Sequence, residues 1–190
     1  DVYKRQVYKL PDADLSIYNR VYITDVKVAF RKNWIEDQNR NRRSPSHRID
    51  QEDADRIKAA VAEEFTRIFT EELEKGGYTV VSSPGEAGSM EDVLALVPAI
   101  VNLDVSAPDS TMEPGRSRTY TASAGSMTLY MEFQDSVTGA LLGRVVDSQS
   151  APTTSYMQIS NSVTNKAEAD RMLRRWATKL VDRLDAVHCR

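Results

Sequence analysis

Few side chains in this sequence have the types and spacing of a catalytic site. The 190 residues include two histidines, His47 and His188, and one cysteine, Cys189. A Ser-His-Asp arrangement would need one of these imidazoles, and neither lies on a predicted element that would hold it rigidly. The glycine-rich phosphate loops, the HExxH zinc motif, the GxSxG elbow and the calcium-binding loop are missing from the sequence. We therefore expect no enzyme activity and no cofactor or metal.

Two pairs of carboxylates could still act together. Glu132 and Asp135 flank a predicted turn, and Asp25 and Asp104 fall on predicted strands. Paired acids held roughly 5–10 Å apart in a cleft can hydrolyse glycosides. A structural role is preferred, because Asp135 can start the turn and Glu132 alternates outward beside Tyr130. The alternative function is a protein that binds or hydrolyses cell-wall glycan, or binds a small ligand, through surface carboxylates.

Two groups of basic residues have the spacing of contact surfaces. One is a row at steps of four on the predicted last helix, which places its members on one side. The other lies in the polar connection 31–49, which holds six basic and two acidic residues. Trp34 in that connection would strengthen a binding site if it were exposed and weaken it if it packed into the core. The candidate partner-binding residues are Trp34, Arg40, Arg42, Arg43, Arg48, Arg171, Arg175, Lys179 and Arg183.

A solvated role is the alternative for both groups, because long basic side chains often cover apolar neighbours while their charges stay in water. Binding to nucleic acid is not expected, since the net charge is −3 and the isoelectric point about 5.5. No apolar run reaches the roughly 18–20 residues that span a bilayer. Cys189 is expected to be a thiol in a frayed tail, with an intermolecular disulfide as the alternative.

Two periodicities predict the elements that carry these residues. Alternating apolar residues from Gly125, a turn at 135–139 and a second apolar run to Val146 predict an antiparallel hairpin. Apolar steps of three and four predict one helix over 50–75 and another over 165–187. Further strands are predicted over 20–30, 78–81 and 93–105. The apolar stripes are Ala54, Ile57, Val61, Phe65, Ile68, Phe69 and Leu73 on the first helix, and Ala169, Met172, Leu173, Trp176, Ala177, Leu180, Val181, Leu184 and Val187 on the second.

The order βαββββα predicts an α+β fold, a two-layer sandwich of two long helices on a mixed, mainly antiparallel sheet of about five strands. Residues 1–19 are predicted to be an extended lead-in or linker, and 20–190 a single domain. Pro98 cannot donate to a sheet ladder, so we expect a bulge or a locally open edge there. Two copies could join at such an edge or through Cys189.

Several segments resemble an uncharacterised family of Gram-negative lipoproteins, the domain of unknown function in the 3313 series. The hairpin carries most of the resemblance, through residues 125–132 and 135–139. Weaker matches follow in the same order as in the family, at 77–85, at 92–104, at Trp176-Ala177 and at Leu184-Asp185. The similarity spans residues 10–187.

The resemblance implies an exported domain tethered through a lipidated cysteine upstream of Asp1, and hence a periplasmic location at the outer membrane. Together with the lack of a catalytic pattern, it leads us to expect a non-enzymatic protein-protein interaction or scaffold module of the cell envelope. Membrane contact would be through the lipid anchor only. The partner could be an envelope protein or a second copy of the chain.

Overall fold

The computed structural model describes residues 5–40, 42, 45, 48–85, 92–106, 123–150 and 162–189. These residues form seven strands and three helices, so the α+β class is as predicted. The strands are β1 (Gln6–Lys9), β2 (Arg20–Ile23), β3 (Lys27–Phe30), β4 (Thr79–Val81), β5 (Val93–Ser106), β6 (Ser123–Asp135) and β7 (Leu141–Ser150). The helices are α1 (Trp34–Asn39), α2 (Gln51–Lys75) and α3 (Ser162–His188).

The strands form one mixed sheet in the order β1-β7-β6-β5-β2-β4, and β3 pairs with β5. β2 and β3 run parallel to β5, and β2 runs parallel to β4. The β1–β7, β5–β6 and β6–β7 pairs are antiparallel. The predicted count of about five strands is too low, because residues 20–30 form two strands and part of the predicted lead-in forms the edge strand β1.

Pro98 accounts for the break between β2 and β3. The Thr24 amide donates to the Leu96 carbonyl at 3.0 Å, so Leu96 and, two residues on, Pro98 direct their backbone polar groups toward β2 and β3. Proline has no N–H to continue the ladder there, while β6 pairs across Pro98 on the other side. The expected irregularity is therefore a gap in pairing within the central strand, and not a sheet edge open to a second copy.

α2 and α3 cover one face of the sheet. Asp50 caps α2 through a reciprocal capping box with Asp53. Arg174 of α3 forms ion pairs with Glu71 and Glu72 of α2. α3 begins three residues earlier than predicted. Both predicted apolar stripes pack toward the sheet. Their buried residues are Ala54, Ile57, Val61, Phe65, Ile68, Phe69, Leu73, Met172, Leu173, Trp176, Ala177, Leu180 and Leu184.

The alternation predicted for the hairpin is confirmed. Met127, Leu129 and Met131 of β6 are buried in the core beneath the helices. Tyr130 and Glu132 occupy alternate positions of the same strand. Their side chains lie on the opposite face of the sheet, because successive strand residues alternate faces. The helices thus cover one face of the hairpin, and Tyr130 and Glu132 occupy the other.

Candidate functional site

Trp34 is buried and not exposed beside the loop. Its side chain is 2% exposed, its ring stacks on Phe30 with centroids 3.8 Å apart, and its indole N–H donates to the Val105 carbonyl at 2.8 Å. The ring fills the core beneath α1, which weakens the case for partner binding at the 31–49 connection. The sequence could not reveal this, since the carbonyl that accepts the indole N–H belongs to Val105, which is distant along the chain.

Arg40 and Arg42 of the 31–49 connection bond to neighbouring residues. Arg40 donates to the Asp37 carboxylate at 2.7 Å, and Arg42 donates to the Gln38 carbonyl at 3.1 Å. Arg48 is exposed. Arg43 lies outside the described residues, as does His47. Partner binding by these arginines stays a prediction.

Asn39 joins the two ends of this loop. Its side-chain N–H donates to the Ile49 carbonyl at 2.8 Å, and its side-chain oxygen accepts from the Ile49 amide at 2.7 Å. Together, these two bonds bring the end of α1 to the residue before the α2 cap. Asn39 and Ile49 are therefore held together at the start of α2.

The basic row occupies one side of α3, as predicted. The Lys179 ammonium lies 3.4 Å from the Asp147 carboxylate of β7, and Asp147 also accepts from the Trp176 indole at 3.0 Å. The other members of the row are exposed and have no ion pair within the part of the chain that the structure describes: Arg171, Arg175 and Arg183. Their positive charges are therefore available to solvent or to a partner.

The loop and the row do not form one surface. α2 packs over β3 and β4, whereas α3 packs over β6 and reaches β7 through Lys179. β6 and β5 separate β7 from β3, and three steps of about 4.8 Å between strands place ~14 Å between these two flanks. The two groups of basic residues are separate surfaces on opposite flanks of the helical layer.

Glu132 and Asp135 point to opposite faces of the sheet. Asp135 pairs across β5 with Leu94, which lies in the core beneath the helices, and Glu132 pairs with Val97. The two acids are three positions apart on β6, an odd offset, so strand alternation sends their side chains in opposite directions. They cannot converge on one glycosidic bond. In the second candidate pair, Asp104 is bound by Arg31 at 2.8 Å.

Glu132 belongs to a small polar cluster on the open face of the sheet. It accepts from Arg144 at 2.6 Å, from Gln134 at 2.9 Å and from Tyr130 at 3.1 Å. The bond from Arg144 is the main reason that the pKa of Glu132 lies below its ordinary value. A carboxyl group with a lowered pKa is ionised at neutral pH, which is the wrong form for a general acid.

Asp135 organises the hairpin turn, as predicted. It accepts from the amides of Thr138 at 2.7 Å and Val137 at 3.0 Å, and from the Thr138 hydroxyl at 2.9 Å. It also accepts from the Tyr18 hydroxyl at 2.8 Å, a contact that sequence reasoning missed. The bond from the Thr138 amide contributes most to lowering the pKa of Asp135.

His188 is held more firmly than expected. Its Nδ1 lies 2.8 Å from the Leu184 carbonyl, and its ring packs edge-on against Tyr78 with centroids 5.6 Å apart. The Tyr78 hydroxyl donates to Asp185 at 2.9 Å. The expectation that nothing would fix this imidazole is wrong, because Tyr78 meets the last turn of α3. The contact joins the end of α3 to the strand that follows α2.

Exposed apolar side chains gather around β1 and one end of the sheet. The exposed fractions are Val7 64%, Tyr8 52%, Leu10 38%, Ile17 51% and Val137 55%. The Leu10 amide donates to the Leu142 carbonyl, and the Tyr18 bond to Asp135 brings Ile17 and Val137 to the same end. Sequence reasoning missed this surface, because β1 is too short to give a periodic signal.

A shallow groove of about 410 Å³ lies between β3, α1 and α2. Val28, Phe30 and Ile35 contribute its apolar lining, and the Lys58 ammonium lies 6.0 Å from the Phe30 ring centroid. Within the described ranges, no cluster of three or more His, Cys, Asp or Glu residues could hold a metal, and no helix is long and apolar enough to cross a membrane. Cys189 is an exposed free thiol.

The sequence matches a family described as "Protein of unknown function (DUF3313)" over residues 2–180. The chain belongs to this family. The matched residues include β1, both strands of the hairpin and α3 as far as Leu180. DUF3313 carries no assigned activity, so membership identifies the family and leaves the function open. None of the curated proteins matches the chain.

Three solved structures resemble this DUF3313 chain in overall trace. The PelC dodecamer from Paraburkholderia phytofirmans has 12% identity and a TM-score of 0.46, over 93% of this chain and 97% of that chain. Protein XCC0632 from Xanthomonas campestris, assigned to DUF330, has 13% identity and a TM-score of 0.42, over 93% and 88%. A minor lipoprotein from Acinetobacter baumannii has 8% identity and a TM-score of 0.38, over 88% and 95%. Similarity at this level transfers no function.

Proposed function

We propose that this chain is a non-enzymatic module of the bacterial cell envelope that binds another protein and serves as an interaction or scaffold domain. The observation that carries the proposal is the basic row on α3, whose exposed arginines have no ion pair within the described residues. By contrast, the acidic residues that were candidates for catalysis are held in structural contacts. Glu132 is paired with Arg144, and Asp135 holds the hairpin turn.

A location in the periplasm, tethered to the outer membrane, is the second part of the proposal. It rests on the resemblance to a lipoprotein family and needs a lipidated cysteine upstream of Asp1. Metabolic labelling of the full-length gene product with a palmitate analogue, followed by separation of inner and outer membranes, tests it. Lipid label in the outer-membrane fraction supports the location, whereas an unlabelled protein in the cytoplasmic fraction contradicts it.

Capture from envelope extracts tests the interaction role. The chain is compared with two charge-reversed variants, one of the α3 row (Arg171, Arg175 and Arg183 to Glu) and one of the loop (Arg40, Arg42 and Arg48 to Glu). We expect a defined protein that the wild type enriches and the row variant loses, because exposed charges steer and orient association. An identical protein profile for all three chains would refute binding through these basic surfaces.

The groove beside α1 favours one alternative, the binding of a small ligand or a cell-wall glycan. Its apolar lining next to Lys58 and Glu36 combines a flat aromatic face with polar groups, as carbohydrate sites require. An NMR titration with soluble peptidoglycan fragments tests this role. Shifts confined to Val28, Phe30 and Ile35 would support it, and unchanged spectra at high fragment concentration would dismiss it.

A further inference from the structure

β1 has a backbone edge that faces away from the sheet. Within the described residues β1 pairs with β7 only. The Leu10 amide donates to the Leu142 carbonyl, so the polar backbone groups of Tyr8 also face β7. Those of Val7 and Lys9 therefore face outward. Such a row of backbone donors and acceptors is a template for a further strand.

Apolar side chains lie on both faces of this edge. Val7 and Tyr8 alternate to opposite faces of the sheet and are 64% and 52% exposed. Val7 pairs with Val145, which packs against the core, and Tyr8 pairs with Arg144 on the open face. A strand added beyond β1 would cover both side chains with cross-strand neighbours, which is the main source of stability in a sheet.

Basic side chains border the same edge. Arg5 and Lys9 stand at the two ends of β1. Gln6 pairs with Val146, which places Arg5 beside Asp147, the carboxylate that binds Lys179 of the α3 row. The row therefore runs along the flank that carries β1. An incoming strand would meet positive charge at both ends of β1 and along α3.

We propose that β1 accepts an extended, acidic segment of a partner protein as an additional strand of the sheet. Apolar residues of that segment cover Val7 and Tyr8, while its carboxylates face Arg5, Lys9 and the α3 row. This is the strand-addition mode of peptide recognition, in which backbone bonds supply affinity and side chains supply selectivity. The inference rests on the proposed interaction role and names the surface and the chemistry of the partner.

A second copy of the chain is a poorer occupant. Antiparallel pairing of two β1 strands centred on Val7 sets Arg5 of one copy opposite Lys9 of the other. It also places both α3 rows on the same face of the joined sheet, facing each other across the new seam. Like charges directly opposite one another destabilise a strand pair, so charge complementarity favours an acidic partner.

A peptide probe tests the proposal directly. The probe is a fluorescent, end-capped peptide about ten residues long, in which glutamates flank a central pair of consecutive valines that can cover Val7 and Tyr8 on the two faces, and its control replaces each glutamate with lysine. Fluorescence anisotropy should show saturable binding of the glutamate peptide, weakened at least about tenfold in high salt. Hydrogen exchange should slow at the amides of Val7 and Lys9. Equal binding of the lysine peptide, or no binding of either, would overturn the proposal.

Two variants and one control distinguish binding by strand addition from non-specific electrostatic attraction. Val7→Pro removes an outward N–H and leaves the bonds to β7 intact, so we expect at least about a tenfold loss of affinity. Arg175→Glu with Arg183→Glu should weaken binding to a similar degree, whereas Arg48→Glu on the opposite flank should not. If Val7→Pro does not fold, hydrogen exchange of the Val7 and Lys9 amides is measured in the charge variants with the glutamate peptide present. Loss of the slowed exchange in Arg175→Glu with Arg183→Glu supports the proposal, and exchange as slow as in the wild type refutes it. Wild-type affinity in folded Val7→Pro refutes the proposal.

The outcomes also distinguish this inference from the wider proposed function. If envelope extracts yield the same partner with wild type and Val7→Pro, the chain is an interaction module that uses another surface, and the β1 proposal falls. If wild type sediments as a dimer that Val7→Pro converts to a monomer, the occupant is a second copy and the acidic-partner proposal is wrong.

Discussion

The hydrogen bond between Tyr18 and Asp135 predicts a loss of stability at high pH. The Tyr18 side chain is 4% exposed, and its hydroxyl donates to Asp135 at 2.8 Å. Burial, with a further contribution from the bond to Asp135, raises the pKa of Tyr18 from 10.0 to about 12. The folded chain therefore holds this proton more tightly than the unfolded chain. The resulting stability is complete below pH 10.0 and is lost as the pH rises through about 12.

The size of the expected loss of stability follows from the rise in the pKa of Tyr18. Two pKa units correspond to about 2.7 kcal/mol when both states are ionised, and about 1.4 kcal/mol of this is lost by about pH 11. Tyr18→Phe removes both the titrating group and a bond to a charged acceptor, at a cost of about 1.5–3 kcal/mol near neutral pH. The stability difference between wild type and Tyr18→Phe should therefore shrink by about 1.4 kcal/mol between about pH 8 and about pH 11.

Urea unfolding followed by circular dichroism measures this difference at each pH. Tyr8→Phe is the matched control, because it removes the same hydroxyl from a side chain that is 52% exposed. We expect its difference from wild type to be small. A Tyr18→Phe difference that stays equally large up to about pH 11 would show that Tyr18 is neither buried nor bonded as described.

Three further substitutions test the packing of single residues, each by urea unfolding. Gly139→Ala should cost about 1–2 kcal/mol because Gly139 has a positive φ of 69°, whereas Gly85→Ala, with open space around it, should be nearly neutral. Gly76→Ala should cost about 1–3 kcal/mol, since its Cβ would lie 2.6 Å from Val181, and a double-mutant cycle with Val181→Ala should show favourable coupling. Asp50→Ala should cost about 1 kcal/mol through loss of the α2 capping box. Unchanged stability in the Gly139, Gly76 or Asp50 variant would contradict the backbone conformation or contact on which that prediction rests.

Elements with a strong local signal were predictable from the sequence. α2 has an acidic cap at Asp50, an apolar stripe at helical spacing and glycines after Lys75, and all three lie within one continuous segment. The β6–β7 hairpin is similar, because its alternation and its turn at Asp135 are adjacent in the chain. The basic row on α3 was predictable for the same reason, since four-residue steps place side chains together on any helix.

The sequence by itself therefore determined the two long helices, the hairpin and the family. Only the tertiary structure decided that Trp34 is buried, that the two basic groups lie on opposite flanks, and that β1 joins the sheet beside β7. Each of these depends on contacts between segments far apart in the chain, such as β1 with β7 or Tyr18 with Asp135. A local pattern reports which face of an element is apolar, but it does not report which distant strand will cover that face.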